Sequence, residues 1–160
     1  MSRRETVLAL AALGAGALAA PFEAFSQQVK NTVVVGVLRS SDQLSSQARI
    51  DAFKQGLQEL GYIEGKNLTL HLRFSDGKAE RLAALAAELV QLKVDIIMAA
   101  DTQATRAAQR ATKVIPIVMG TSTDPVASGL VASLARPGGN TTGLSNMASD
   151  TGPKRLELLV

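Results

Sequence analysis

The sequence alternates short, continuously apolar runs with longer segments in which apolar residues recur every three or four positions. The runs TVVVGVL (32–38), VDIIMAA (94–100) and IPIVMG (115–120) are rich in valine and isoleucine and carry few polar side chains. Strands of this composition are typical of a parallel sheet that is buried on both faces. The alternation therefore predicts an α/β protein, an open parallel sheet with helices on both faces and right-handed crossovers.

Side-chain spacing adds two amphipathic helices and an edge strand to this picture. The strand LTLHLRF (68–74) alternates leucine with Thr69, His71 and Arg73, so one of its faces is wetter and it should lie near a sheet edge. A helix-like segment (101–113) separates the last two buried runs, and TTGLS (141–145) predicts a short fifth strand. The predicted helix stripes are Ile50, Phe53, Leu57 and Leu60 in the first helix, which Gly61 ends, and Leu82, Leu85, Ala86 and Leu89 in the second.

Open parallel sheets bind ligands beyond the carboxyl ends of their strands, at the point where the strand order reverses. In this chain that rule selects the loops that start at Arg39, Ser75, Asp101 and Thr121. Polar side chains in these loops are the candidates for a binding site.

The stretch STDPVASGLVASLARPGGN (122–140) follows a buried run and predicts a helix over 125–135. Asp124 is a favoured N-cap and Pro125 a favoured first helical residue. Thr121 and Ser122 would then lie beside the positive helix end, where hydroxyl and N–H groups suit a carboxylate. Ordinary helix capping with solvated hydroxyls is an equal alternative. Gly138 or Gly139 can supply the positive φ at the helix end.

Residues 1–26 predict an export signal. Arg3 and Arg4 precede an apolar run, Val7 to Ala20, of 14 residues, which is shorter than the about 20 residues needed to span a bilayer. Small residues follow, and we expect cleavage near Ser26–Gln27. A buried N-terminal helix is the alternative, and the choice between the general and the twin-arginine export routes stays open.

Composition excludes several function classes. The net charge of +3 is scattered and aromatic residues make up 3% of the chain, so a nucleic-acid surface is not expected. The chain has no cysteine, which removes thiol catalysis and zinc-thiolate sites. The single histidine, His71, lies mid-strand, away from the predicted binding edge, so a Ser-His-acid triad is not expected either. We therefore predict no enzyme, no cofactor and no metal site.

The segments ELGYIEGKN, DPVASGLVASLARPGGN and KRLELL together resemble a family of exported substrate-binding proteins of ABC transporters, over nearly all of residues 32–160. The resemblance implies the periplasmic-binding-protein type I fold, in which the ligand lies between two lobes. Residues 27–150 would form the first lobe. Residues 151–160 would begin a crossover helix toward a second lobe that the sequence lacks.

Ligand contacts in this family come from loops at the strand ends. Carried over, the resemblance implies a ligand-binding role for Ser40, Ser41, Thr102, Gln103, Thr121, Ser122 and Asp124. Asp101 could receive a ligand amine or cap the next helix, and Asp124 could likewise cap or bind. The two serines, Ser40 and Ser41, could also be simple turn residues.

The resulting expectation is a periplasmic, monomeric solute-binding component of an ABC uptake transporter. It would bind a small molecule such as an amino acid and deliver it to a membrane permease, without a nucleic-acid partner. The alternatives are a small-molecule sensor domain of the same fold and a truncated fragment without function. A phosphorylated receiver module is disfavoured, because metal-assisted phosphoryl transfer needs clustered carboxylates after the first strand and only Asp42 is present there.

Overall fold

The computed structural model describes residues 32–146, which form a five-stranded sheet flanked by three helices. All strand pairs are parallel, and the strands lie side by side in the order β2-β1-β3-β4-β5. The elements are, in chain order, β1 Val33–Arg39, α1 Gln43–Glu59, β2 Leu68–Phe74, α2 Arg81–Gln91, β3 Ile96–Ala99, α3 Thr102–Ala111, β4 Ile117–Thr123 and β5 Thr141–Asn146. The predicted parallel α/β architecture is confirmed.

The strand order places β1 in the interior of the sheet and β2 at an edge. Val35 of β1 pairs with Leu70 of β2 on one side and with Ile96 of β3 on the other. Leu70 and Leu72 of β2 pack in the cluster between the sheet and α1, while His71 and Arg73 lie on the other face. All four side chains are half-buried, as expected at a sheet edge. The edge prediction for this strand is therefore confirmed.

Helices cover both faces of the sheet, as alternating side chains along the strands require. Val35 and Val37 of β1 point to the face that carries α1, where they pack with Ile50. Leu38 points to the opposite face, where it packs with Leu89 of α2 and Ala108 of α3. Leu89 is fully buried, so truncating it to alanine would cost about 2–5 kcal/mol of unfolding free energy.

The first helix follows its predicted stripe until its last turn. Ile50 is buried and Phe53 and Leu57 pack against the same cluster, but Leu60 is 76% exposed. Placing Leu60 on the buried stripe was wrong, because Leu60 is the C-cap beyond the last helical residue, Glu59, and no longer follows the helical spacing. Gly61, at φ +86°, ends the helix as predicted: its N–H bonds to the Gln58 carbonyl, and the next amide bonds to the Leu57 carbonyl.

The predicted helix over 125–135 is absent: between β4 and β5 the described chain forms a single turn and then an irregular connection. The Leu130 and Val131 amides both bond to the Pro125 carbonyl, which closes the turn. Gly129, at φ +68°, then directs the backbone out of the helical region. Leu130 and Val131 are both buried against Met119 of β4. The buried residues are thus neighbours in sequence, and they do not have the spacing of three or four positions that a helix would give.

Two predicted features lie outside the described residues, namely the export signal at 1–26 and the crossover helix at 151–160. Within residues 32–146 no helix has both the length and the apolar character needed to cross a bilayer.

Candidate functional site

A cleft of about 400 Å³ opens at the carboxyl ends of β1, β3 and β4, on the sheet face that carries α1. From β1 the chain adds β2 on one side of the sheet and then β3, β4 and β5 on the other side. The cleft therefore lies between β1 and β3, where the strand order reverses. The cleft is lined by Arg39, Ser40, Ser41, Arg49, Met98, Ala100, Asp101, Gly120 and Thr121. Four of the predicted binding residues, Ser40, Ser41, Asp101 and Thr121, therefore meet at one cavity.

Asp101 ties the end of β1 to the start of α3. Its Oδ1 accepts a hydrogen bond from the Ala104 N–H at 2.9 Å, which caps the helix. Its Oδ2 accepts from the Ser40 N–H at 2.9 Å and from the Ser40 hydroxyl at 2.8 Å. Three of the about four acceptor positions of the carboxylate are thus used inside the protein. The capping role considered for Asp101 is confirmed by these bonds.

The hydroxyl protons of Ser40 and Ser41 are also committed within the protein. Ser40 Oγ donates to Asp101, as above. Ser46 Oγ donates its single proton to the Asp42 carbonyl at 2.6 Å, so in its 2.7 Å contact with Ser41 Oγ it must be the acceptor. Both cleft serines consequently present lone pairs rather than free protons to the cavity.

The charged hydrogen-bond donors of the cleft belong to two arginines that the sequence interpretation did not assign to the site. Arg39 continues the alternation of Val35 and Val37, so its side chain lies on the α1 face. Its Nε donates to the buried Ser46 Oγ at 3.1 Å, and its two terminal nitrogens have no hydrogen-bond partner within residues 32–146. Arg49 of α1 approaches from the helix, and no described residue forms a salt bridge or hydrogen bond with it.

Burial, followed by the nearby positive charge of Arg49, holds the pKa of Arg39 below its usual value, while Asp101 acts in the opposite direction. Two guanidinium groups therefore face one carboxylate that is already bonded to other partners. The cleft carries an excess of positive charge, which favours an anionic guest.

The back wall of the cleft is formed by small and flexible residues. A Cβ at Gly120 would lie 2.8 Å from Met98 Cε and 3.4 Å from the Ala100 Cα, so the missing side chain of this glycine leaves the cavity open. The Met98 thioether is apolar and adaptable, a suitable surface for the body of a small ligand. None of the lining residues is aromatic.

The remaining predicted residues occupy neighbouring positions with other contacts. Thr102 Oγ1 lies 3.1 Å from Ser122 Oγ, and this bond joins α3 to β4 next to the cleft. Ser122 is 1% exposed, so its hydroxyl packs behind the sheet edge and is not accessible to a ligand. Asp124, at φ +44°, accepts a hydrogen bond from the Ala127 N–H at 2.9 Å and caps the turn that replaces the predicted helix.

Gln103 does not line the cleft; together with Thr102 it lines a groove of about 390 Å³ between α2 and α3. That groove equals the cleft in volume, but it runs along two helices and is lined mainly by alanine and arginine side chains. We assign the candidate site to the cleft, because the cleft lies at the carboxyl ends of the strands and brings together residues that follow three of them. Among residues 32–146 no cluster of three or more histidine, aspartate or glutamate side chains could hold a metal ion.

Comparison of the sequence with known protein families identifies the class of protein in which this cleft occurs. Residues 33–159 match the profile of the family described as ABC transporter substrate binding protein. The chain belongs to this family. Its members are binding proteins that are generally exported or periplasmic, in agreement with the resemblance seen in the sequence.

Individual family relatives give the comparison more detail. The chain is 38% identical over 121 residues to the tyrosine-binding protein of Clostridioides difficile, covering 73% of this chain and 34% of that protein. A conserved domain protein from Vibrio cholerae superposes with a TM-score of 0.72 at 33% identity, covering 80% of this chain and 43% of that one. An ABC domain from Streptococcus pneumonia, solved with L-Trp, superposes with a TM-score of 0.66 at 31% identity, covering 71% of this chain and 38% of that one. The chain thus spans between about one third and two fifths of the relatives it matches.

Proposed function

We propose that the described residues form the first ligand-binding lobe of an exported solute-binding protein that serves an ABC uptake transporter. The observation that carries this proposal is the cleft at the reversal point of the strand order in a chain that belongs to the substrate-binding family. Ser40, Ser41, Asp101 and Thr121 border the ligand, with Thr102 and Ser122 supporting the edge behind them.

The ligand is a small organic molecule of the amino-acid class. Support comes from the relatives, one of which is named for tyrosine and another of which was solved with L-Trp. The cleft volume of about 400 Å³ lies at the lower end of the range for small-molecule sites, about 300–1,000 Å³. The described residues that line this cleft include Met98, an apolar surface for the body of such a ligand, and no aromatic side chain.

The transport cycle follows from the two-lobe arrangement implied by the family resemblance. The ligand bridges the lobes and stabilises a closed form through contacts that the open form lacks. The closed form then docks on a membrane permease and releases its ligand there. Residues 1–26 direct the protein to the periplasm, with cleavage near Ser26, and the exported protein acts as a monomer.

An NMR titration tests the location and strength of binding. We expect L-tryptophan to shift the amide resonances of Ser40, Ser41, Asp101 and Thr121 in the ¹⁵N-labelled 160-residue chain, with millimolar affinity because one lobe supplies only part of the contacts. Resonances of Ala83 and Arg110 in the α2–α3 groove serve as internal controls and should stay in place. Shifts confined to that groove, or micromolar affinity of the single lobe, would contradict the proposal.

A further inference from the structure

The groups that line the cleft distinguish the two ends of an amino acid. Arg39 and Arg49 bring two guanidinium groups to the cavity, and both have donors that are not bonded to any described residue. Asp101 is the single carboxylate among the lining residues, and its two oxygens already accept three hydrogen bonds. The cavity therefore offers charged donors to a ligand carboxylate, while a ligand ammonium group would find only uncharged serine lone pairs and the one remaining acceptor position of Asp101.

The arginines differ in how firmly they are held. Arg39 is partly buried at the strand end, and its Nε is fixed by the buried Ser46 hydroxyl, which in turn is anchored on the Asp42 carbonyl. This bond orients the planar group so that its terminal nitrogens stay free. Arg49 lies on α1 at the margin of the stripe that packs on the sheet, is exposed, and adds a second charge that can adapt to the ligand. A fixed and an adaptable guanidinium together suit a carboxylate, which accepts paired N–H bonds from arginine.

The repulsion between the two arginines is relieved when an anion enters the cleft. In the free lobe, the charge of Arg49 and the burial of Arg39 both work against the charged form of Arg39. A bound carboxylate supplies the counter-charge that Asp101, bonded to Ser40 and Ala104, only partly provides. An ammonium group placed at the same position would add a third positive charge and would be repelled.

We infer that this lobe recognises the carboxylate of its ligand through Arg39 and Arg49 and does not recognise a ligand amine, so its ligands extend to organic acids that have no amino group. This inference rests on the proposed function, because it assigns the ligand chemistry of the same cleft.

Three ligands that share an indole ring separate the two functional groups. We expect indole-3-propionate, which keeps the carboxylate, to bind the 160-residue chain at least as tightly as L-tryptophan in NMR titrations read at Ser40 and Thr121. Tryptamine, which keeps the amine, should bind at least tenfold more weakly. Raising the salt concentration should weaken the binding of the two acids, because their attraction to the arginines is screened, and should not weaken the binding of tryptamine, whose repulsion is screened instead. Inorganic phosphate is included as a simple anion and should bind less tightly than the two carboxylates.

Variants identify the residues responsible. Arg49→Gln should lower the affinity for both acids about tenfold and bring them to the level of tryptamine. Arg110→Gln, at an exposed arginine in the other groove, is the matched control and should change nothing. Arg39→Lys, which keeps the charge but loses the planar fork, should weaken the acids as well.

The outcomes separate the two proposals. L-tryptophan binding tenfold more tightly than indole-3-propionate would overturn the carboxylate assignment while leaving the binding function in place. The carboxylate assignment would also be overturned if the acids bound wild type and Arg49→Gln with equal affinity, or if phosphate bound the chain more tightly than the acids. If no indole compound shifts the cleft resonances, the proposed function itself fails, and this inference fails with it.

Discussion

At Gly143 the backbone of β5 passes so close to β4 that the structure leaves no space for a side chain. Gly143 pairs with Met119 and has a φ of +143°, next to a register irregularity between Met119 and Ser122. A Cβ added there would lie 2.8 Å from the Met119 Cα and still closer to the backbone nitrogen and oxygen of the same residue. These neighbours are backbone atoms, which cannot rotate away as a side chain can.

Replacing Gly143 by alanine should therefore destabilise the chain by about 2–4 kcal/mol, through the backbone overlap and the strained φ together. In thermal unfolding followed by circular dichroism, this corresponds to a fall in Tm of about 10 °C. The matched control is Gly56→Ala in the last turn of α1, where an added Cβ meets nothing within 4 Å. That change should stabilise by about 0.5–1 kcal/mol, because alanine loses less backbone entropy in a helix. Similar Tm changes in the two variants would contradict the close approach of β5 to β4.

Single residues also show where the sequence sufficed and where it did not. The side of the sheet on which Arg39 lies follows from its alternation with Val35 and Val37, and Asp101 as a helix cap follows from residue type alone. Arg49 lies three positions after Ser46, on the margin of the stripe that packs on the sheet, so spacing hinted at its direction. The position of Arg49 near Arg39 depends on the angle at which α1 crosses the sheet, and this angle cannot be predicted from local sequence patterns.

Helices α1 and α3 begin at aspartates that play unequal roles. Asp42 accepts from the Ser45 N–H at 2.8 Å and is exposed, whereas Asp101 caps α3 and also holds the Ser40 backbone. The bonds from Ser45 hold the pKa of Asp42 below its ordinary value of 3.8. The stabilisation from this cap is thus present above pH 3.8 and is lost as the pH falls through the lowered value.

Substitution of Asp101 should loosen two elements at once. We expect Asp101→Ala to cost about 2–4 kcal/mol of unfolding free energy, from the lost cap and from two hydrogen bonds to a charged acceptor. Asp101→Asn should cost less, since one amide oxygen can still serve either α3 or Ser40 but not both. Denaturant unfolding measures these differences, and Asp42→Ala is the control, with a smaller effect because only its own helix start is involved. An Asp101→Ala effect no larger than that of Asp42→Ala would contradict the link between β1 and α3.

Among the elements, strands and helices with strong periodicity were predictable, and the β4–β5 connection was not. The Asp124–Pro125 pair is a genuine start signal, and it does begin a turn. Gly129, with its positive φ, ends the helical conformation after a single turn. The burial of Leu130 and Val131 against Met119 then outweighs the helical preference of the alanines that follow. Tertiary packing of this kind cannot be read from local propensity.

At the scale of the whole molecule, the parallel sheet converts separate loops into one site. Three strand ends, after β1, β3 and β4, meet at the cleft because parallel strands all end at the same edge. The fold class and this edge were predictable from the alternation of strands and helices. The division of the polar residues between the cleft and the α2–α3 groove was not, because Thr102 and Gln103 lie in the first turn of α3, which packs beside α2 and places both residues in the groove wall.

The central claim is that the carboxylate of a small ligand lies between Arg39 and Arg49 at this edge, and a crystal structure of the chain with indole-3-propionate tests it most directly. Our account predicts ligand density in the cleft, with a carboxylate oxygen about 2.7–2.9 Å from a guanidinium nitrogen of Arg39 or Arg49 and the ring against Met98. Density in the groove between α2 and α3, or a carboxylate directed away from both arginines, would contradict it.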